Sequence, residues 1–169
     1  MAIFIITFGA FIVGILLIVS LKKVSPPTPQ EQIHFDNQDD VPKYLRDPTA
    51  FKEKCVEFLE KFNLEYVHSV WANDQELEIA MNDETPVVGG VYLALCIIDP
   101  PGQTVNAIKV KGFLDTVKGE GASRGIFITT GYFSDEAIRS IDEEPVELVD
   151  VVSFISYLKR FGIYENPSP

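Results

Sequence analysis

Residues 105–163 read VNAIKVKGFLDTVKGEGASRGIFITTGYFSDEAIRSIDEEPVELVDVVSFISYLKRFGI, and the order of patterns along them decides the fold. Val105 to Val110 is an extended apolar segment and predicts a strand. Phe113, Leu114 and Val117 give the segment after it the apolar side of a helix. Gly125-Ile-Phe-Ile-Thr-Thr130 predicts a second strand, since β-branched and aromatic side chains suit a pleated, buried surface. Ser134 is a good N-cap for the next helix, with Asp135 and Glu136 in the first turn, where negative charge suits the helix dipole. Val146 to Val149 is a short strand. Val151, Phe154, Ile155, Leu158 and Phe161 then recur at helical spacing until Gly162 stops the helix. Strand and helix alternating in this way favour an α/β fold, a parallel or mixed sheet covered by helices.

Working outward towards the N-terminus, Thr49 is a plausible N-cap after Pro48. Phe51, Cys55, Phe58, Leu59 and Phe62 form one apolar stripe, leaving Lys52, Glu53, Lys54, Glu57, Glu60 and Lys61 mostly outside. Leu64–Trp71 and Glu76–Met81 are strand candidates, and Asp83 to Pro86 supplies a turn. Val91 to Ile98 is a near-continuous apolar run, as expected of a strand buried on both faces. Asp99-Pro100-Pro101-Gly102 is a strong turn signal, so a hairpin is expected to join this strand to Val105–Val110.

Ala2 to Ser20 carries no charge, and its length is close to the roughly 20 residues that cross a hydrocarbon core. Positive charge precedes the apolar run of a secretory signal peptide. Here Lys22 and Lys23 follow it and no Ala-x-Ala site is present, so a transmembrane helix over residues 1–21 is expected. Basic residues prefer the cytoplasmic side, which puts the N-terminus outside and the folded domain in the cytoplasm. Ala10 and Gly14, four apart, let another transmembrane helix approach closely; a plain anchor touching lipid all round is the alternative. Residues 22–49 hold Pro26, Pro27, Pro29, Pro42 and Pro48 and read as a Pro-rich cytoplasmic linker. The folded domain is expected over 50–163, with 164–169 a flexible tail.

The chain has 25 acidic and 14 basic side chains, a formal net charge of -11, and no charge before residue 21. Phosphates are bound through Lys and Arg, so this balance disfavours DNA as a partner. Cys55 and Cys96 sit in apolar patterns with no zinc spacing and are expected to be buried free thiols. His34 and His68 have no neighbouring ligand at metal spacing.

The segments Gly125 to Ala137 and Leu148 to Asp150 resemble the Mrr type of restriction-endonuclease-like domain. That family carries Gly-Ile-x-Ile-Thr-Thr-Gly-x-Phe-Ser-x-x-Ala and then Leu-(Ile/Val)-Asp. The resemblance covers most of Phe51 to Ile163. It implies a mixed sheet flanked by helices, here preceded by one transmembrane helix and a Pro-rich linker. It also implies a phosphodiesterase site in which two carboxylates from adjacent strands hold a divalent metal beside a lysine. The first carboxylate belongs in a Gly-x-Asp-Leu strand, matched here by Gly90-Val91-Tyr92-Leu93, so Tyr92 stands at its place. The second belongs to Gln-x-Lys or Glu-x-Lys, matched by Lys109-Val110-Lys111. Lys111 keeps the lysine and Lys109 replaces the ligand. A phenol is a poor magnesium ligand at neutral pH, and a second ammonium repels the ion.

The expectation is a membrane-anchored, catalytically inactive nuclease-fold domain that serves as an accessory subunit of an integral membrane complex, with no cofactor. The alternative is a membrane-tethered, magnesium-dependent DNA endonuclease of the defence type. A further alternative keeps DNA binding without cutting, through Lys109, Lys111, Lys118 and Arg124.

Overall fold

The structure, a computed structural model, describes residues 41–100 and 102–165. A single 3-10 turn at Lys43–Leu45 leads into helix α1, Pro48–Glu60. Strands β1 (Glu65–Trp71), β2 (Glu76–Asp83) and β3 (Gly90–Ile97) follow, then the short β4 (Thr104–Val105). Helix α2 is Ala107–Gly119, β5 is Arg124–Thr129 and β6 is Tyr132–Phe133. Helix α3 (Asp135–Arg139), β7 (Val146–Val149) and α4 (Val151–Arg160) complete the order.

The main sheet has five strands in the order β1-β2-β3-β5-β7. β1, β2 and β3 pair antiparallel, whereas β3, β5 and β7 run parallel. A second, parallel ribbon pairs β4 with β6. Parallel neighbours need crossovers, and α2 and α3 supply them. One face of the sheet packs Leu77, Ile79, Met81, Ala94, Cys96, Ile128 and Val149 against α1 and α4. The other packs Leu95, Ile97, Phe127 and Val146 against α2 and α3. The sheet is therefore the middle of three layers. Double coverage explains why the Val91–Ile98 run shows no polar alternation.

The expected strand over Val105–Val110 is corrected. Only Thr104–Val105 is extended, and from Ala107 the chain is helical. Asn106 is the reason: its side chain accepts from the Lys109 N–H at 3.0 Å and caps the helix. Ala107, Val110, Phe113, Leu114 and Val117 are all buried, and their spacing is that of one helix face. The expected hairpin after β3 is corrected with it, because the turn at Asp99 opens a crossover to the parallel strand β5.

Smaller corrections concern α1 and its surroundings. Asp47, not Thr49, caps α1; it accepts from the Ala50 N–H at 2.8 Å, and Pro48 fills the first turn, where an amide has no partner anyway. Phe62 lies beyond the end of α1 and is 46% exposed. Lys54, expected outside, is 5% exposed. Its ammonium donates to Glu57 at 2.7 Å, to the Ile163 carbonyl at 3.1 Å and to Glu165 at 2.7 Å. Burial pushes the Lys54 pKa down, but the bonds to Glu165 and Glu57 outweigh it and leave it above its ordinary value. The clasp ties the chain end back on α1, and Tyr164 stands edge-on to Tyr44. Tyr44 and Leu45 are buried in the core beneath α1. The expected transmembrane helix, with Ala10 and Gly14, lies outside the described residues. Among the described residues no helix is long and apolar enough to cross a membrane.

Gly125 marks the tightest approach of the sheet to α2. A Cβ there would sit 2.6 Å from Val117 and 2.9 Å from Phe113. On the opposite face Phe154 is wholly buried, with its ring edge-on to Phe51 and Phe58 at 6.4 and 5.3 Å between centroids. Phe154→Ala is expected to cost about 3–5 kcal/mol, read as a lower urea midpoint. The Lys54 clasp has its own signature. Its folded pKa is raised, so its contribution is full below the ordinary lysine range and fades as pH rises through the folded value. Wild type and Lys54→Met are therefore expected to converge in stability on approaching strongly alkaline pH, as measured by urea unfolding at a series of pH values.

Candidate functional site

The central hairpin β2–β3 is where adjacent strands would present paired metal ligands. Its register pairs Leu77 with Cys96, Ile79 with Ala94 and Met81 with Tyr92 on the face beneath α1 and α4. None of these side chains is a carboxylate. Cys55 of α1 and Cys96 of β3 are buried free thiols, as their apolar setting implied. Burial, then the neighbouring Cys96, pushes the Cys55 thiol up, so it stays protonated and is a poor nucleophile and a poor metal ligand.

Carboxylates do occur on the other face. Strand alternation puts Glu76 and Glu78 on one side of β2, where they line a groove of about 320 Å³ with His68, Leu93, Leu95, Lys109 and Thr116. The sequence reading overlooked these two residues, although Glu-x-Glu on a strand places both side chains on one face. The Lys109 ammonium pairs with the Glu76 carboxylate. That pair neutralises Glu76 and leaves Glu78 without an acidic partner. Among the described residues no three His, Cys, Asp or Glu side chains gather closely enough to hold a metal ion. The residues present do not fit the magnesium site that the family implies.

Two other acids, the half-buried Asp99 and the buried Asp150, are engaged in holding the chain. Asp99, at the end of β3, accepts from the Thr129 hydroxyl at 2.6 Å, and its N–H donates to the Thr130 hydroxyl oxygen at 2.8 Å. These bonds staple the ends of β3 and β5 together. Asp150 caps α4 by accepting from the Ser153 N–H at 2.8 Å. Neither carboxyl faces a cleft as a free ligand.

The structure does not bring Tyr92, Lys109 and Lys111 together. Tyr92 is half-buried on β3, on the face beneath α1 and α4. Lys109 is on α2, across the sheet from it, and Lys111 is an exposed residue of the same helix. Lys109-Val110-Lys111 is therefore helical and is not the second metal-binding strand. The matching rested on the strand expected over Val105–Val110. The capping Asn106 and the spacing of Ala107, Val110, Leu114 and Val117 were the signals pointing to a helix.

Tyr92 instead lines a cavity of about 340 Å³ at the end of the sheet where β3, β5 and β7 begin. Cross-strand pairing sets Tyr92 beside Arg124 and Ile126 beside Glu147. Phe58, Phe62 and Tyr157 add aromatic walls from α1, the turn after it and α4. Asp83 and Glu144 bring further charge. Hydrogen bonds from the Thr85 hydroxyl and Thr85 N–H, at 2.5 and 2.9 Å, hold the Asp83 pKa below its ordinary value, so it is ionised at neutral pH. Glu144 is paired with Lys118 at 2.8 Å. The pocket thus sets carboxylates and one guanidinium among aromatic walls.

The Lys109–Glu76 pair is partly exposed, with side-chain exposures of 38% and 29%. A double-mutant cycle on Lys109→Met and Glu76→Gln is expected to return a coupling of at most about 1 kcal/mol, read by urea unfolding.

Comparison with known proteins agrees with the three-layer architecture. The family model of the Mrr_cat restriction endonuclease matches residues 47–158. Among solved structures, the DNA modification-dependent restriction endonuclease AspBHI is similar with a TM-score of 0.53 at 14% identity. That similarity covers 80% of this chain and 40% of AspBHI, so the chain spans less than half of that enzyme's length. The MspJI restriction endonuclease in complex with a 27-mer oligonucleotide gives a TM-score of 0.48 at 18% identity, over 70% of this chain and 28% of that one. No curated protein matches the sequence. With β1 to β3 antiparallel, β5 and β7 parallel to β3, and helices on both faces, the chain belongs to the Mrr_cat restriction endonuclease family.

Proposed function

We propose that this chain is a membrane-anchored nuclease-fold domain that does not cut DNA and serves as a protein-interaction or structural accessory subunit of a membrane complex. One observation carries the proposal. The β2–β3 hairpin pairs Leu77 with Cys96, Ile79 with Ala94 and Met81 with Tyr92 on one face, while on the other Glu76 is tied to Lys109. A divalent cation needs several oxygen ligands to offset its dehydration. Without them neither Lewis-acid activation nor a lowered water pKa is accessible.

Other features support a binding role. The net charge of -11 disfavours phosphate backbones. Lys118 and Lys109, two of the cations considered for DNA binding, are paired with Glu144 and Glu76. The uncharged run Ala2–Ser20, with Lys22 and Lys23 after it, supports a single anchor with the domain on the cytoplasmic side. Ala10 and Gly14 offer a smooth face to another transmembrane helix.

Two measurements test the reading. Purified chain in mild detergent is expected to leave unmodified and modified plasmid DNA intact with magnesium or manganese. Cleavage that chelation abolishes would overturn the inactive reading in favour of a tethered endonuclease. Native electrophoresis of the chain extracted from its own membrane is expected to show a complex heavier than the monomer, and a solitary monomer would overturn the accessory role.

A further inference from the structure

The end of the sheet that holds the aromatic cavity also carries a cluster of exposed valines, among them the most exposed apolar side chain of the described residues. Val87 is 102% exposed and Val88 72%, both in the turn between β2 and β3, and Val91 at the start of β3 is 47% exposed. Val87 has φ 77°, a left-handed conformation that a β-branched residue resists. The turn around it is closed rather than slack. The Gly89 N–H donates to the Thr85 carbonyl at 2.8 Å, and Asp83 holds Thr85. A Cβ on Gly89 would meet the Asp83 carbonyl oxygen at 2.2 Å, so the turn is built around that glycine. A closed turn thus holds two valines out in water, one of them strained. Nothing within the domain gains from that arrangement, whereas a covering partner would.

The cavity beside them has its own charge and shape. Tyr92, Tyr157 and the half-exposed Phe62 present rings, and Asp83 and Glu147 present carboxylates that no described ion pair neutralises. Rings and carboxylates together favour a cationic head on an apolar stem, because the stem lies along the rings while the head meets the carboxylates. Arg124 is the cation of the lining, against the carboxylates of Asp83, Glu144 and Glu147. We propose that the cavity and the Val87–Val88 turn together form a docking surface for a partner protein segment in which Arg or Lys alternates with apolar residues. The occupant is a polypeptide rather than an anionic lipid surface or a nucleic acid, since both of those would meet the same carboxylates with like charge.

This inference rests on the accessory-subunit reading and names the partner chemistry at its surface. Two short peptides serve as probes, one alternating leucine with arginine, the other leucine with glutamate. Each is titrated into the full-length chain in nanodiscs of zwitterionic lipid and followed by nuclear magnetic resonance. The arginine peptide is expected to give saturable shifts centred on Tyr92, Arg124 and Tyr157. Glu147→Lys, at an exposed strand position, is expected to weaken it at least about tenfold with the thermal midpoint unchanged. Equal binding of the glutamate peptide, shifts centred elsewhere, or no saturable shift would overturn the surface. So would attachment to anionic vesicles that survives Glu147→Lys. Co-extraction of the native complex separates the two ideas. If Glu147→Lys keeps the complex intact, the docking surface falls and the accessory role stands; if the wild-type chain is a lone monomer, the accessory role itself falls.

Discussion

The parallel pairing of β3 with β5 is the constraint on which the rest of the domain depends. Two parallel strands cannot be joined by a tight turn, so the chain after β3 must leave the sheet, cross it as α2 and return. Gly125 lets β5 come so close to α2 that Val117 and Phe113 lie on its backbone. Phe127, between them and α3, is wholly buried with ring partners Phe113 and Phe133 at 5.5 and 5.3 Å. Once α2 is placed on that face, α1 and α4 must cover the other, since β3 and β5 carry apolar side chains on both.

The same constraint decides what the family fold can do in this chain. The hairpin β2–β3 is held between helices, and the side chains pointing beneath α1 are those of a hydrophobic core. Leu77, Ala94 and Cys96 fill that face, where an unpaired buried charge would carry a desolvation cost. Several polar groups hold the chain together. Asp99 staples two strand ends, Asp150 caps a helix, and Lys54 draws Ile163 and Glu165 onto α1.

Much of the fold was legible in the sequence because its signals are local. Val146–Val149 and the helix after it follow from apolar spacing, and Ser134 caps its helix through the Ala137 N–H at 3.1 Å as its position implied. The segment 105–110 misled because Val105, Ala107, Ile108 and Val110 satisfy an extended and a helical pattern equally well. Helix spacing won because Val117 and Leu114 extend it by two turns and Asn106 starts it, whereas β4 finds only the two residues of β6 to pair with. Lys54 misled for a different reason. Its surroundings in sequence are those of a solvated helix face, and its partners Ile163 and Glu165 arrive from the far end of the chain.

The sequence by itself determined the layer architecture, the family and the thiol burial, because hydrophobic period, caps and motif wording are properties of short windows. Tertiary structure alone decided which residues share a cleft. Tyr92 and Lys109 are separated by the thickness of a sheet, while Glu76 meets Lys109 and Tyr92 shares a cavity with Tyr157 only because distant segments pack there. A site is a matter of long-range distance and facing, and one residue of register or one change from strand to helix moves a side chain to the opposite side of the molecule.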